Sequence, residues 1–271
     1  MKKMLVSLLM VFSTYSGIGQ GINCETCKDD SLYYRACLLY TEACEFPQGS
    51  DSSQILLDKA IEICPYFSAA YYVRAIPFLK RGEFITWKVL IDKAVQYNPQ
   101  LYLGYRGGAR FMFLRDFLGA IRDIEKADSI CAYDIGFIYN GDYHLQIIRA
   151  LIYRGLGDNK KAIEIIEKQL KQPDYLPGPF DYLHLGVLYL EFHNYQSAID
   201  CLKKQIEFND SLAEAYYYLA LTYQAMRMGE LFSENITKAK DYYLKRKRLP
   251  GDGSYMDYVD KVYLSDFEVS F

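Results

Sequence analysis

The chain has 271 residues, of which 51% are hydrophobic and 24% are charged, so it can bury a sizeable core. Its formal net charge is −3 at pH 7, and this balance argues against a surface that follows nucleic-acid phosphates. Beyond the N-terminus no segment offers the roughly 18 consecutive apolar residues of a membrane-spanning helix, so no stable membrane insertion is expected.

The first 19 residues have the features of an export signal. Lys2 and Lys3 precede a short apolar run, and Gly17-Ile18-Gly19 places small residues where a signal peptidase reads them. Residues 1–19 are therefore predicted to be a signal peptide, with cleavage before Gln20. The apolar run is too short to anchor the chain across a bilayer. The mature protein is expected to be exported from a bacterial-type cell and to be periplasmic or secreted.

Four cysteines follow the signal, two of them in a short segment over residues 20–30: Cys24, Cys27, Cys37 and Cys44. In an oxidising compartment, clustered cysteines more often form disulfides than metal sites. Cys37 and Cys44 share one face of a predicted helix but are too far apart to bond each other, so the plausible bonds join them to Cys24 and Cys27. Free thiols and metal or redox chemistry are the alternatives. Three further cysteines are predicted to be small buried side chains: Cys64, Cys131 and Cys201.

A period of 34 residues runs through residues 31–247. Leu219, Ala220 and Tyr223 reproduce the residue classes of Leu185-Gly186 and Tyr189, 34 positions earlier. The apolar spacing within each unit predicts two amphipathic helices. Full copies are predicted over 68–99, 101–132, 143–175, 179–210 and 213–247, after a degenerate helix pair over about 31–65.

A small residue occupies the same place in each full copy, where the first helix is predicted to cross the second. A bulky side chain there would push the two backbones apart. These positions are Ala75, Gly108, Ala150, Gly186 and Ala220. Two irregularities are expected: residues 133–142 form an insertion between copies, and the last copy carries about seven extra residues, 229–235, before Ala239 restores the pattern.

This pattern resembles the tetratricopeptide repeat, an aromatic residue followed by Leu-Gly, Tyr and a downstream Ala. The fourth full copy carries it at Tyr182, Leu185, Gly186, Tyr189, Ala198 and Leu202. The resemblance implies an all-α fold, a right-handed α-solenoid of about six antiparallel helix pairs, with residues 248–271 as a tail that includes a possible capping helix. It also implies a non-enzymatic scaffold that holds a protein or peptide partner in its concave groove.

In tetratricopeptide arrays the groove is lined chiefly by the first helix of each pair. Carrying those positions over gives the candidate partner-binding residues Tyr72, Tyr102, Tyr105, Phe113, Arg154 and Tyr217, and His144 and Glu214 also fall at such positions. Tyrosine suits the centre of an interface. The same side chains equally suit packing against a neighbouring repeat or against the C-terminal segment. The Lys and Asn clamp that some chaperone-binding members use for acidic C-termini is absent.

No catalytic group, metal site or cofactor is predicted. His144, His184 and His193 do not fall at metal-ligand spacing and are expected on the surface or in turns. The glycine-rich run over 104–110 lies inside a predicted helix, whereas a phosphate loop precedes one. Two alternative functions stay open. One is a small-ligand or glycan-binding repeat protein, and the other is a thiol-disulfide oxidoreductase that uses the C-x-x-C pair Cys24 and Cys27.

Overall fold

The computed structural model describes residues 22–132, 134–138, 141–250 and 258–268, so the expected signal peptide lies outside the described residues. Twelve α-helices and two short 3-10 helices, Cys24–Cys27 and Leu264–Phe267, make up the regular structure of these ranges. Consecutive helices pair with each other, and each pair packs on the next. The predicted all-α solenoid of six antiparallel helix pairs is confirmed.

The first three pairs are α1 (Ser31–Glu45) with α2 (Asp51–Ile63), α3 (Ser68–Lys80) with α4 (Phe84–Tyr97), and α5 (Pro99–Leu114) with α6 (Phe117–Ile130). The last three are α7 (Leu145–Gly155) with α8 (Asn159–Leu170), α9 (Asp181–Glu191) with α10 (Tyr195–Phe208), and α11 (Ala213–Ala225) with α12 (Gly229–Leu244). The first helices α5, α7, α9 and α11 also contact one another in order. We call the surface that the first helices form the first-helix face.

The turns inside the pairs follow a common design. A residue with positive φ ends the first helix at Gly82, Arg115, Gly157, His193 and Arg227. At several second helices an Asp or Asn then caps the new helix; the Asn194 carboxamide, for example, accepts the N–H of Ser197. Most of these turns close with a backbone hydrogen bond that spans five residues, such as Asn194 N–H to Tyr189 C=O.

The turn between α5 and α6 differs, because its closing bond runs from Asp116 N–H to Arg110 C=O and spans six residues. This extra residue shifts the helix crossing by one position. A Cβ on Gly107 would lie 2.8 Å from Ile124 Cγ1 and 3.2 Å from the Ala120 carbonyl oxygen, both on α6. A Cβ on Gly108 would instead meet Ile138 Cγ2 at 3.0 Å. The prediction that Gly108 is the crossing residue is therefore wrong, since Gly107 takes that place.

The prediction of seven extra residues in the last copy is also wrong. Residues 229–235 are not an insertion, because α12 begins at Gly229 after a turn of ordinary length. The position that matches Ala198, five residues beyond the positive-φ residue, is Phe232. An aromatic residue at the marker position concealed the register there.

The insertion over 133–142 folds against the solenoid in its described part. Ile138 N–H donates to Tyr143 C=O at 2.8 Å, and Leu145 N–H donates to Gly136 C=O at 2.8 Å. Ile138 is buried against the first helices, and the Tyr143 ring is fully buried. Ile138 therefore lies against Gly108 of α5, and Gly136 bonds to the start of α7.

At the N-terminal end, a disulfide joins Cys24 to Cys37 and fastens the 3-10 helix to α1. Cys27 and Cys44 remain thiols, so of the two expected N-terminal bonds one is formed. Cys64 and Cys201 are buried, as expected for small apolar side chains, and Cys131 is half-buried.

Candidate binding surface

Within the predicted C-terminal segment 248–271, residues 258–268 lie along the first-helix face of the last three pairs. From here on, residues 258–268 are called the tail. The tail contacts Arg154 of α7, His184 of α9 and Tyr217 of α11. It also contacts the insertion, where the Tyr258 hydroxyl donates to Asp142 Oδ2 at 2.5 Å. A segment far away in sequence therefore covers half of the surface at which a partner was expected.

Asp260 is the central contact of the tail. Its Oδ1 accepts from Arg154 Nη1 at 2.7 Å, and its Oδ2 lies 2.6 Å from His184 Nδ1. The Asp260 side chain is 3% exposed and the His184 side chain is fully buried. Burial by itself would raise the pKa of Asp260, but the hydrogen bond and charge of His184 and the charge of Arg154 hold that pKa below its ordinary value.

Arg154 links the tail to the solenoid. Besides Asp260, its guanidinium binds both carboxylate oxygens of Glu191 on α9, at 2.5 and 3.0 Å. Burial by itself would lower the pKa of Arg154, but these two carboxylates raise it, so the cation is retained. The arrangement places two carboxylates around one guanidinium and one imidazole.

Glu214, at the start of α11, holds the backbone on either side of residues 251–257. Both of its carboxylate oxygens accept the Leu249 N–H at 3.1 Å, and the Val262 N–H also bonds to the carboxylate. Glu214 is fully buried. Burial raises the pKa of Glu214 to about 7, although the bonded amides favour its charged form.

Apolar and aromatic contacts complete the seat of the tail. Tyr258 and Val262 are buried, with Val262 only 1% exposed. Phe267 packs edge-on against Tyr217, with ring centroids 5.4 Å apart, and also against Tyr243 at 5.3 Å. The first-helix face thus binds the tail in three ways. Arg154 and His184 bind the Asp260 carboxylate, Glu214 accepts a backbone N–H, and Tyr217 makes an aromatic contact.

The first-helix face of the N-terminal half is lined by tyrosines. Tyr72 of α3 stacks on Tyr102 of α5 with ring centroids 5.0 Å apart, and Tyr105 meets Tyr72 edge-on at 4.7 Å. Tyr102 is 4% exposed, so it offers little area to a partner, whereas Tyr72 and Tyr105 are half-buried. Phe113, also half-buried, packs between two core clusters.

Five of the six candidate binding residues therefore separate into two groups, and the sixth, Phe113, packs against the core. The structure brings Tyr72, Tyr102 and Tyr105 together on α3 and α5. Arg154 and Tyr217 instead contact the tail. The sequence left two possibilities open for these side chains, contact with a partner protein or packing against the C-terminal segment. Arg154 and Tyr217 pack against the C-terminal segment.

Two of the three histidines are buried, although all three were predicted to lie on the surface or in turns. His144 and His184 are fully buried, while His193 lies exposed in a turn as expected. His144 caps α7, with Nδ1 accepting the Gln146 N–H at 3.2 Å and Nε2 lying 2.9 Å from Asp134. Helical spacing could have placed His184 on the first-helix face, because it lies four residues after Phe180 and three before Val187, which both fall at the groove-lining repeat positions.

The sequence matches no protein-family model and no curated protein sequence. Solved structures do match. A tetratricopeptide repeat protein from Parabacteroides merdae has a TM-score of 0.61 at 15% identity and covers 81% of each chain. PilW, a type IV pilus biogenesis factor, has a TM-score of 0.61 at 14% identity, over 77% of this chain and 94% of PilW. The fold is that of a tetratricopeptide-repeat protein.

YrrB, described as a tetratricopeptide repeat protein with an unusual peptide-binding site, matches with a TM-score of 0.53 at 19% identity, over 69% of this chain and 91% of YrrB. A chain of the Cut9–Hcn1 heterotetramer matches with a TM-score of 0.54 at 16% identity. The match covers 81% of this chain and 42% of that longer chain. At these identities the likeness concerns the fold.

A pocket of about 260 Å3 opens beside the tail in this tetratricopeptide-repeat array. Its walls include Phe111, Phe117, Leu151 and the tail residue Val259. Three charged residues line it: Arg154 and Glu191 pair with each other, and the Arg115 guanidinium lies over the Phe111 ring at 5.5 Å. Their charges are therefore used within the chain.

Within the described ranges, no group of three or more His, Cys, Asp or Glu side chains could hold a metal ion. None of the helices described is long and apolar enough to cross a membrane. The C-x-x-C cysteines are not bonded to each other, because Cys24 is paired with Cys37. A redox motif of that spacing works by forming and breaking the bond between its own two cysteines.

Proposed function

We propose that the chain is an exported, non-enzymatic scaffold that binds a protein or peptide partner along its first-helix face. One observation carries the proposal: this face already holds a chain segment, the tail, through side-chain and backbone contacts on three successive first helices. The tyrosines of α3 and α5 continue the same face beyond the tail. YrrB, which has this fold, is described with a peptide-binding site, and that likeness agrees with the proposal.

Export is the second part of the proposal, and it rests on the signal-like residues 1–19 and on the cysteine cluster that follows them. Fractionation of the cells that make the protein tests it. A mature chain that begins at Gln20 in the extracytoplasmic fraction is expected. Deletion of residues 2–19 should leave the protein in the cytoplasm, and an exported deletion variant would contradict the assignment.

Site-specific photo-crosslinking tests the binding surface. A photoreactive phenylalanine analogue at Tyr72 or Tyr105 should crosslink the partner in living cells, since both side chains are half-buried on the first-helix face. Ile85 on α4 is the matched control because it is 85% exposed and lies on a second helix. Crosslinks confined to Ile85, with none at Tyr72 or Tyr105, would place the partner elsewhere and contradict the proposal.

A further inference from the structure

The tail has the contacts of a bound peptide. Asp260 reaches two side chains from two different helices, Arg154 and His184, and it adopts a φ of 61° that turns the backbone at this point. Asp tolerates this left-handed conformation better than bulky residues do. The buried carboxylate is thus presented between a guanidinium and an imidazole, as a ligand side chain would be.

The solenoid residues that hold the tail depend unequally on it. Arg154 retains Glu191 as a partner when the tail leaves. His184 loses its hydrogen-bonded carboxylate, and its Nε2 has no hydrogen-bond partner among the described residues. Tyr143 stacks on the His184 ring at 5.4 Å and closes the opposite side. The pair Arg154 and His184 is therefore a built subsite for a carboxylate.

The neighbouring contacts describe the rest of the ligand. Within the tail, Glu214 accepts the backbone N–H of Val262, a contact that does not depend on the side chain of the ligand. Val262 is buried two residues after Asp260, and Phe267 packs on Tyr217. The seat therefore fits a segment that has an aspartate in a backbone turn, an apolar residue two positions later and an aromatic residue further on.

We propose that Arg154 and His184 form an aspartate-binding subsite for such a segment of a partner protein, and that the tail is an intramolecular ligand that occupies it. The inference rests on the proposed scaffold function and names the ligand chemistry of its C-terminal half. Because the tail is covalently attached, it acts at a high effective concentration. A partner segment must displace it, so free peptides bind the intact chain weakly.

The test uses the full chain carrying Asp260→Ala and a fluorescein-labelled peptide with the sequence of residues 257–268. Fluorescence anisotropy should show that the peptide binds the Asp260→Ala chain at least about tenfold more tightly than it binds the unmodified chain, because the weakened tail no longer competes. A peptide with Asp260→Asn should bind at least about tenfold more weakly, since it loses charge-assisted hydrogen bonds.

The Asp266→Asn peptide is the matched control. The Asp266 carboxylate accepts the Tyr263 N–H within the tail itself, so this peptide should bind within about threefold of the parent peptide. Equal binding of the Asp260→Asn and parent peptides would overturn the aspartate subsite. The absence of peptide binding to a folded Asp260→Ala chain would overturn the tail as a ligand.

The remaining outcomes also decide. If the Asp260→Ala chain loses helicity and excess peptide restores it, the peptide has filled the seat and the proposal is supported. If peptide does not restore it, the tail is part of the folding core and the proposal is wrong. If light scattering detects a dimer that the peptide dissociates, the tail of a second copy occupies the seat, and the assignment of an intramolecular ligand is wrong. Crosslinking at Tyr72 is independent of the tail, so a failure here leaves the scaffold function standing.

Discussion

Arg154 Nη1 lies 2.7 Å from Asp260 Oδ1, although 106 residues separate the two along the chain. The contact joins the third-to-last helix pair to a segment beyond the last pair. Arg154 is one of the candidate partner-binding residues, and the acidic group that it binds is supplied by the same chain.

A double-mutant cycle should show strong coupling between these two residues. Arg154→Met leaves the buried Asp260 with one of its two partners and is expected to lower the free energy of unfolding by about 3 kcal/mol. Adding Asp260→Asn removes the unpaired charge, so the double variant should lose less than the sum of the two single losses. Urea unfolding measures all four proteins. Strict additivity would show that the ion pair contributes nothing specific.

Glu214 predicts a pH dependence of stability. Its folded pKa of about 7 lies above the unfolded value near 4.5, so the folded chain binds more protons between these pH values. Stability from this group is therefore fully present below pH 4.5 and is lost as the pH rises through 7. The difference between the two pKa values corresponds to about 3 kcal/mol.

Glu214→Gln isolates this contribution, because the amide does not titrate. The difference in unfolding free energy between the unmodified chain and Glu214→Gln should shift by about 3 kcal/mol in favour of the variant between pH 4.5 and pH 8. Denaturant unfolding at several pH values checks it. A difference that stays constant across this range would contradict a buried, proton-binding Glu214.

Gly186 should not tolerate a side chain. A Cβ there would lie 2.7 Å from Leu202 Cγ and 3.4 Å from the Ala198 carbonyl oxygen. Gly186→Leu is expected to cost about 1–3 kcal/mol through overpacking of the helix crossing. Gly229→Ala is the control, because a Cβ at that position meets nothing within 4 Å and the residue starts a helix. Thermal unfolding should separate the two variants, and equal melting temperatures would refute the assigned crossing.

The cysteines allow a direct count. Alkylation of the denatured, unreduced protein should label five thiols, since only Cys24 and Cys37 are bonded. Mass spectrometry should find two more labels after reduction. Three labels before reduction would instead show a second disulfide, and seven would show that no disulfide forms. Cys24→Ser together with Cys37→Ser should cost about 3 kcal/mol in the oxidised protein, the usual cost of removing a bond that closes a short loop.

The repeat pattern predicts the six helix pairs because each pair must bury the same shape against its neighbours, and side-chain size records that shape. The pattern does not record how a helix ends. One extra residue before Asp116 moves the crossing from Gly108 to Gly107, and Phe232 hides the start of α12 from a search for alanine. The first error arises from a locally changed spacing, and the second from an unusual residue at a position whose spacing is regular.

The candidate site was predictable only in its first-helix part. Tyr72 and Tyr105 follow from helical position, which is a local property. The partners of Asp260 lie 76 and 106 residues away, and no periodic signal connects them. A buried ion pair of this kind depends on which surfaces the chain brings together, so it becomes visible only once the tail has been placed on the first helices.

The tail changes how this array is expected to unfold. In an open repeat array each unit contacts only its neighbours, so the terminal units fray first. Here Tyr258 bonds to Asp142, 116 residues earlier, and so links the last pair to the insertion before α7. The last three pairs are thereby closed into one cooperative block. At the opposite end the Cys24–Cys37 bond fastens only a short segment to α1, and it does so only under oxidising conditions. In a reducing environment, loss of structure should therefore begin at the N-terminal pair and reach the tail last.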